Sequence, residues 1–263
     1  MSILEQITPL ILTHNEEANI GRVLDKLRWA RDIVVLDSGS TDRTTAICAE
    51  YDNVRVVARP FDSHAAQWNF VLGNTGIGSD WVLALDADYV VTEALLESLR
   101  RLDPPPDVNG YRVRFRYCLF GEPLSGSLYP PVVVLFRRKL GSYEQDGHTQ
   151  RLRIVGKVAE LEGEMLHDDR KPLSRWLAAQ ARYARLEAEL LQRKSWAELN
   201  WQDRVRKLVV VAPLLTPIYC LIFGRGVFDG WRGLYYAIQR GIAEAILSLE
   251  LLQMETSEEN AWK

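Results

Sequence analysis

The chain of 263 residues is 47% hydrophobic and 25% charged, which is ordinary for a globular protein with one sizeable core and a small appendage. Its formal net charge of −3 offers no basic field, so no nucleic-acid partner is expected. The three cysteines, Cys48, Cys118 and Cys220, are odd in number and form no C-x-x-C pair, which argues against a disulfide framework or a zinc site. No basic-then-apolar leader precedes the first predicted strand, so a reducing cytoplasmic compartment is expected.

In the first hundred residues, predicted strands alternate with predicted helices. Strands are predicted at 8–12, 33–36, 54–57 and 81–85, and helices at about 20–27, 46–49, 65–72 and 95–99. Asn15 is placed to cap the first of these helices. The alternation predicts parallel strands joined by right-handed crossovers. We therefore expect the strand ends that carry Asn15, Asp37 and Asp86 to gather at one edge of the sheet.

The strand that begins at Trp81 ends in two carboxylates, Asp86 and Asp88. Side chains two positions apart on an extended chain share a face, so the two carboxylates should point the same way. Hard oxygen ligands of this kind suit Mg²⁺ or Mn²⁺, which complete their coordination shells with water and substrate phosphate. A bare D-x-D is a weak signal by itself, because it is often an ordinary loop or a helix cap.

Three consecutive prolines, residues 104–106, end the fourth helix and mark a boundary between 1–105 and 106–200. Residues 111–117 alternate basic and apolar side chains, which is the period of a half-exposed strand. Their arginines could bind an anionic acceptor or leaving group, or could form a solvated face. Another strand is predicted at 131–138, and a long packing helix at about 174–196.

The segment 201–263 contains an uncharged apolar run, residues 208–223, broken only by Thr216 and two prolines. A membrane-spanning helix needs roughly 20 apolar residues, so this run is too short to cross a bilayer. Basic residues flank it, and a helix predicted at about 234–252 has one apolar face. These features favour an interfacial segment on an anionic membrane surface. The alternative is a helical pair that packs on the main domain or on a second subunit, as in a homodimer.

Three segments, in the expected order, resemble the inverting family-2 glycosyltransferases of GT-A fold. They are Leu12-Thr13-His14-Asn15-Glu16-Glu17, similar to the P-T-Y-N-E-E turn; Val35-Leu36-Asp37-Ser38-Gly39-Ser40-Thr41-Asp42, similar to the V-D-D-G-S-T-D element; and Leu85-Asp86-Ala87-Asp88, similar to the metal motif. Weaker matches at 67–69, 146–150 and 226–230 resemble the branch that decorates bacterial lipopolysaccharide core. Leu12 and His14 replace the usual Pro and Tyr, and Trp68 stands where many relatives carry Arg.

This resemblance implies a mixed α/β sheet with flanking helices over 1–200, in which 1–105 is the nucleotide-binding half and 106–200 the acceptor half. A C-terminal helical, membrane-associating appendage, 201–263, follows. It implies transfer of a sugar from a nucleotide-diphosphate donor to a glycan or lipid-linked acceptor, in lipopolysaccharide or other cell-envelope polysaccharide synthesis. Mg²⁺ or Mn²⁺ is the expected cofactor. The expected location is cytoplasmic, peripheral on the inner face of the cytoplasmic membrane.

The resemblance also implies roles for individual residues. The nucleotide-sugar would contact Leu12, His14, Glu16, Asp37, Asn69 and Asp86, and the metal would be held by Asp88 and Asp86, with His167 as a third candidate ligand. Inverting transfer needs a base that takes a proton from the acceptor hydroxyl, and Asp146 beside Gly147 is the predicted base. Glu144 is its nearest rival, and His148 could orient acceptor or phosphate.

Two other functions remain open from the sequence. A nucleotidyltransferase that makes an activated sugar also uses a metal on an α/β sheet. Such enzymes usually carry a glycine-rich, Arg- or Lys-bearing phosphate loop, which is absent between Ile7 and Gly21. A non-catalytic membrane scaffold that keeps only the nucleotide pocket is the other alternative. The absence of G-x-S-x-G, H-E-x-x-H and Walker-type loops argues against the commonest hydrolases and NTPases.

Overall fold

The computed structural model describes residues 3–126, 128–146 and 149–261, without the side chains of 146, 149 and 255–261. The chain divides into two compact units. The first comprises Met1–Pro123 and Tyr129–Lys171, and the second comprises Leu124–Leu128 and Pro172–Lys263. The predicted domain boundary at residue 200 lies inside the second unit and stays a prediction.

The first hundred residues form the predicted alternation of strands and helices. The elements are β1 (Ile7–Thr13), α1 (Ile20–Asp25), β2 (Ile33–Asp37), α2 (Thr44–Cys48), β3 (Val54–Ala58), α3 (His64–Asn74), β4 (Trp81–Asp86), β5 (Tyr89–Val91) and α4 (Glu93–Arg101). Two of the helices begin at side-chain caps, because Ser63 accepts from the Ala66 N–H and Thr92 from the Leu95 N–H. The prolines at 104–106 lie just beyond α4, as expected.

The rest of the first unit is built mostly of strands. They are β6 (Val108–Leu119), β7 (Glu122–Pro123), β8 (Val132–Arg137), β9 (Gly141–Asp146), β10 (Thr149–Ile154) and β11 (Lys157–His167). The main sheet has the order β3-β2-β1-β4-β8-β6-β11-β5, and β9 and β10 form a separate hairpin. β1 is parallel to both β2 and β4, with Thr13 opposite Asp37 and Leu12 opposite Asp86. The predicted gathering of these strand ends at one edge is therefore confirmed.

The main sheet is covered by apolar clusters on both faces, because successive residues of its central strands point in opposite directions. Ile11, Val35, Leu83 and Leu85 belong to one cluster, which also contains the buried apolar side chains of α1 and α4. Leu10, Val34, Leu36 and Val82 belong to the other, together with Trp68 and Val71 of α3. Burial on both faces explains why β1, β2 and β4 are continuous apolar runs.

The alternating basic residues of β6 are paired with acidic residues of β11. The two strands are parallel, and Arg112 lies 3.1 Å from Glu160 while Arg116 lies 3.5 Å from Glu164. The predicted half-exposed strand is confirmed. Most of its positive charge is balanced within the sheet, which favours the solvated face over an anion site.

The second unit is helical. It contains α5 (Leu173–Arg193), α6 (Trp201–Lys207), α7 (Val211–Ile222), a 3-10 turn (Gly226–Asp229) and α8 (Trp231–Ala261). Ala188 and Leu191 of α5 are buried with Leu199, Leu247 and Leu251 in a small core of its own. Within the described ranges, no helix is both long enough and apolar enough to cross a membrane.

Candidate active site

Asp86, Asp88 and His167 lie together where β4 ends. Asp86 is the last residue of β4, and the antiparallel pairing of β11 with β5 sets His167 opposite Tyr89. The Asp168 amide donates to the Asp88 carbonyl oxygen at 3.0 Å, which fixes the two segments side by side. As a result, His167 Nε2 lies 3.2 Å from Asp88 Oδ2. Sheet topology thus joins residues that are about eighty positions apart in sequence.

The electrostatics of this group are those of carboxylates held away from water. Burial, together with the neighbouring Asp88, raises the pKa of Asp86 to about 6. Burial also acts to raise the pKa of Asp88, but His167 and Lys171 outweigh it, so that pKa is lowered. In the described part of the chain, Asp88 Oδ1 and His167 Nδ1 are buried without a hydrogen-bond partner. Two buried polar atoms without partners indicate a site that binds something further.

Three tyrosines surround the His167 imidazole. The ring centroids of Tyr89, Tyr117 and Tyr129 lie 5.3, 5.0 and 4.8 Å from it, all edge to face. The hydroxyls of Tyr89 and Tyr129 are hydrogen-bonded to each other. This aromatic surround fixes the plane of the imidazole and limits the access of water.

A second charged group, centred on Lys171, was not found from the sequence. The Lys171 ammonium lies 2.6 Å from Glu16 Oε1 and 3.7 Å from Asp169. Asn19 donates to Glu16 Oε2 at 2.8 Å and to Asp169 Oδ1 at 2.9 Å. Burial acts to raise the pKa of Glu16, and this effect exceeds the opposing one of Lys171. The only indication of this group in the sequence is the run of four charged residues, 168–171, that follows His167.

An ion-pair cluster around Asp168 holds residues 168–171 against α1. The Asp168 carboxylate is paired with the Arg22 guanidinium and accepts from Arg170 Nε at 2.8 Å. Arg22 also donates to the Asp168 carbonyl oxygen at 3.0 Å. Because Asp168 is only 6% exposed, its pairing is shielded from solvent. Arg22 therefore positions the segment that carries His167 and Lys171.

Asp37 and Asn15 organise the loop that follows β2. Asp37 Oδ2 accepts from the Gly39 and Ser40 amides at 3.0 and 2.9 Å. Asn15 has a φ of 57°, in the left-handed region, and its Oδ1 accepts from the Thr41 amide at 2.7 Å. The expectation that Asn15 caps the first helix was wrong, since α1 begins at Ile20 after Asn19. The side chain instead ties the β1 turn to the β2 loop.

Leu12 and His14, predicted to contact the nucleotide, lie at the same edge of the sheet. Leu12 is within β1, between Leu36 and Asp86. His14 is exposed, with its Nε2 3.3 Å from Asn15 Nδ2. Their predicted contacts with the nucleotide remain predictions.

Asn69 holds β9 in place through its side-chain amide. Its Nδ2 donates to the Tyr143 carbonyl oxygen at 2.8 Å, and its Oδ1 accepts from the Tyr143 amide at 2.9 Å. Tyr143 also stacks on Trp68, with ring centroids 5.2 Å apart. Asn69 thereby positions the strand that ends at Asp146, and its predicted contact with the nucleotide stays a prediction.

The two candidate bases lie on β9. Glu144 is exposed and accepts from Arg153 Nε at 2.8 Å, so its carboxylate is already paired. Asp146 is the last residue of β9, with its backbone opposite Thr149. The Asp146 side chain, Gly147 and His148 lie outside the described residues.

Residues 10–145 match the family model of glycosyl transferase family 2, which is just over half of the 263 residues. The chain belongs to glycosyl transferase family 2. The predicted family and the predicted GT-A mixed sheet with flanking helices are confirmed. Because membership of this family means sugar transfer, the protein is a glycosyltransferase.

Named relatives of this glycosyltransferase come from bacteria. The lipopolysaccharide core biosynthesis glycosyltransferase LpsC of Rhizobium meliloti is 28% identical over 79% of this chain and 78% of its own length. An uncharacterized glycosyltransferase of Rickettsia conorii is 33% identical over 37% of this chain and 34% of its own.

Similar solved structures include two bacterial proteins. Glucosyl-3-phosphoglycerate synthase from Mycobacterium tuberculosis, solved with Mn²⁺, UDP and phosphoglyceric acid, is 19% identical, with a TM-score of 0.45 over 72% of this chain and 78% of that one. Residues 1–349 of S. aureus TarS are 12% identical, with a TM-score of 0.49 over 96% and 92% of the two chains.

Proposed function

We propose that this glycosyltransferase moves one sugar, with inversion, from a nucleotide-diphosphate donor to a glycan or lipid-linked acceptor in lipopolysaccharide core synthesis. The observation that carries the proposal is the largely buried group of Asp86, Asp88 and His167 at the carboxyl ends of parallel strands, where open α/β sheets bind their ligands. The similarity to LpsC along most of both chains supports the choice of acceptor. The alternative acceptor is another cell-envelope polysaccharide.

The residues present fit a divalent cation, Mg²⁺ or Mn²⁺. Asp88 and His167 would hold it, with Asp86 beside them, and the unpartnered Asp88 Oδ1 is an oxygen ligand of the right kind. Among the described residues, no group of three or more His, Cys, Asp or Glu side chains could hold a metal ion by itself, so other ligands would have to complete the coordination. Mg²⁺ sites commonly use one or two carboxylates and take the remaining ligands from water and substrate phosphate. When bound, such an ion would neutralise charge on the departing diphosphate.

The donor would lie over the ends of β1, β2 and β4. Glu16 and Asp37 are proposed to contact the nucleoside, and Asp86 the ribose-phosphate, in a site that also includes Leu12 and His14. Lys171 extends the set proposed from the sequence: its ammonium is close to Glu16 and would bind a phosphate oxygen of the donor. The Lys171 cation would compensate the charge of Glu16 before the donor binds and the charge of the diphosphate afterwards.

The acceptor hydroxyl would approach from the side opposite the diphosphate. Asp146 is proposed to take its proton, which makes the oxygen a better nucleophile toward the anomeric carbon. The alternative base, Glu144, is exposed, and its carboxylate is already paired with the Arg153 guanidinium. Asn69 supports either role, because it fixes the backbone of the strand that carries both carboxylates.

Product analysis with radiolabelled nucleotide sugars tests the proposal. Thermal shift, with and without Mn²⁺, first identifies the donor, because ligand binding to the folded state raises stability by mass action. Incubation with lipopolysaccharide acceptors of truncated core should then release nucleoside diphosphate and place the label on the acceptor. The anomeric configuration of the product reports inversion. Pyrophosphate formation would instead indicate a nucleotidyltransferase, and binding without turnover would indicate a scaffold.

A further inference from the structure

An exposed apolar hairpin stands out on the second unit. It comprises residues 208–242, which include α7, the 3-10 turn and the first part of α8. Leu214, Phe223, Phe228 and Trp231 are 69%, 73%, 74% and 58% exposed, and several more of its apolar side chains are at least half exposed. Exposed apolar side chains that are scattered singly are normal on a protein surface, whereas a contiguous exposed apolar surface marks an interaction site.

The exposed side chains of α7 form one continuous face. Leu214, Ile218 and Ile222 follow one another at intervals of four, and Leu215, Tyr219 and Phe223 form the adjacent row. The buried residues of α7 are Ala212 and Cys220. On α8, Leu234, Ile238 and Ile242 are exposed at similar helical spacing. Each helix therefore presents an apolar face that the described protein leaves uncovered.

The charge of this region is opposite to that of the whole chain. Residues 208–242 contain three basic residues, Arg225, Arg232 and Arg240, and one acidic residue, whereas the full chain has a formal net charge of −3. The one acidic side chain, Asp229, is bound, since it accepts from the Ser125 amide at 2.9 Å and from the Ser125 hydroxyl at 2.6 Å. The hairpin thus combines apolar surface with an excess of positive charge.

Two arginines each lie beside an aromatic ring around the turn of the hairpin. The Arg225 guanidinium lies 5.7 Å from the Phe228 ring centroid, and that of Arg232 lies 5.3 Å from the Trp231 ring. Exposed aromatic rings next to basic side chains suit the boundary between acyl chains and anionic headgroups. Each pair keeps its cation beside the ring that would enter the apolar layer.

We infer that the apolar hairpin docks on the surface of an anionic lipid bilayer, with its aromatic side chains inserted among the lipids and without crossing. A second copy of the chain fits less well, because a twofold contact would bring the same arginines of both copies together. If the acceptor is lipid-linked, which rests on the proposed function, docking would also raise its effective concentration at the active site.

Vesicle sedimentation of the full-length protein tests this inference. The vesicles contain either phosphatidylcholine alone or equal parts of phosphatidylcholine and phosphatidylglycerol. The wild-type protein should bind the anionic vesicles more tightly, and this binding should weaken as salt rises. The double variant Phe223→Glu with Phe228→Glu should bind anionic vesicles at least about tenfold more weakly. It loses two aromatic rings that would insert among the lipids, and it gains two negative charges that the anionic headgroups repel.

A matched control introduces two glutamates at exposed apolar positions of the first unit. Phe61 and Val155 are 52% and 69% exposed, so the double variant Phe61→Glu with Val155→Glu should bind vesicles as the wild type does. Both variants should unfold at the wild-type temperature, since all four side chains are exposed. The inference is overturned if the wild type binds neither vesicle, or if the hairpin variant binds as well as the control. It is also overturned if the wild type is a dimer that the hairpin variant separates while vesicle binding is absent.

Discussion

The Lys171 ammonium lies 2.6 Å from the Glu16 carboxylate, although 155 positions separate the two residues in the chain. The pair joins the segment after β11 to the turn after β1, at the edge of the sheet where Asp86 and Asp88 lie. Glu16 is therefore neutralised by a cation before any donor binds. A donor diphosphate would compete with Glu16 for the same cation.

Replacement of Lys171 by Met should weaken donor binding. The variant keeps most of the length of the side chain but removes its charge, so we expect the KM for the nucleotide sugar to rise about tenfold with a smaller change in kcat. Steady-state kinetics measure both quantities. Lys157→Met is the matched control, because Lys157 forms an exposed ion pair with Asp107 in the same unit. An unchanged KM for Lys171→Met would remove this residue from the donor site.

Asp88→Ala should abolish the dependence of donor binding on Mn²⁺ and lower turnover by about a hundredfold or more, because the variant removes a proposed metal ligand. Asp86→Ala should be damaging in the same direction, with more of the loss in donor affinity. Titration of activity against Mn²⁺ and calorimetry with the donor measure the two effects. Asp52→Ala, an exposed carboxylate of the same unit, should behave as the wild type. Near-normal activity of Asp88→Ala would contradict the metal assignment.

Asp146→Asn separates binding from chemistry. The amide preserves the volume of the side chain but cannot accept the proton, so kcat should fall by about a hundredfold or more while donor affinity is kept. Glu144→Gln is the matched substitution on the same strand and should leave kcat within about twofold. Rapid-quench measurements of the transfer step read the difference directly. The reverse pattern would move the role of base to Glu144.

Asn69→Ala should destabilise the protein, because it removes both hydrogen bonds to the Tyr143 backbone. A hydrogen bond of this kind contributes about 0.5–1.5 kcal/mol, so the free energy of unfolding should fall by about 1–3 kcal/mol. Urea unfolding measures this change. Asn74→Ala, at the exposed end of the same helix, should cost less than about 0.5 kcal/mol. A stable Asn69→Ala protein with reduced donor affinity would instead support nucleotide contact.

The three cysteines should be unreactive in the folded protein. All are buried and free, and burial raises the pKa of Cys48 to about 11 and that of Cys118 to about 12, so neither is a thiolate at neutral pH. Iodoacetamide should label them only after unfolding. Their raised pKa values stabilise the fold below the ordinary thiol pKa of 9.0, and this contribution is lost as pH rises through about 11 for Cys48 and about 12 for Cys118. Rapid labelling of the native protein would show that one of these sites opens.

The sequence predicted the edge of the sheet where the site lies, because local patterns determine it. Continuous apolar runs identified β1, β2 and β4, and the alternation with helices predicted their parallel order. The position of Lys171 could not be predicted this way, since it depends on the cluster in which Arg22 pairs with Asp168 and on the return of β11 beside β5. Asn15 was misassigned for a related reason. Its partner, the Thr41 amide, belongs to a different loop, and only the folded sheet brings the two together.

The short segment Leu124–Leu128 limits how the gene can be shortened. These residues follow β7 of the first unit, yet their partners are in the second: Asp229 accepts from the Ser125 amide, and the Leu128 amide donates to the Tyr236 hydroxyl at 3.0 Å. A truncated protein that ended at Lys171 would keep the segment but lose Asp229 and Tyr236, which hold it. Tyr129, whose ring contacts His167, is joined to this segment by a single peptide bond. The helices after Pro172 are therefore part of what a catalytic fragment must retain.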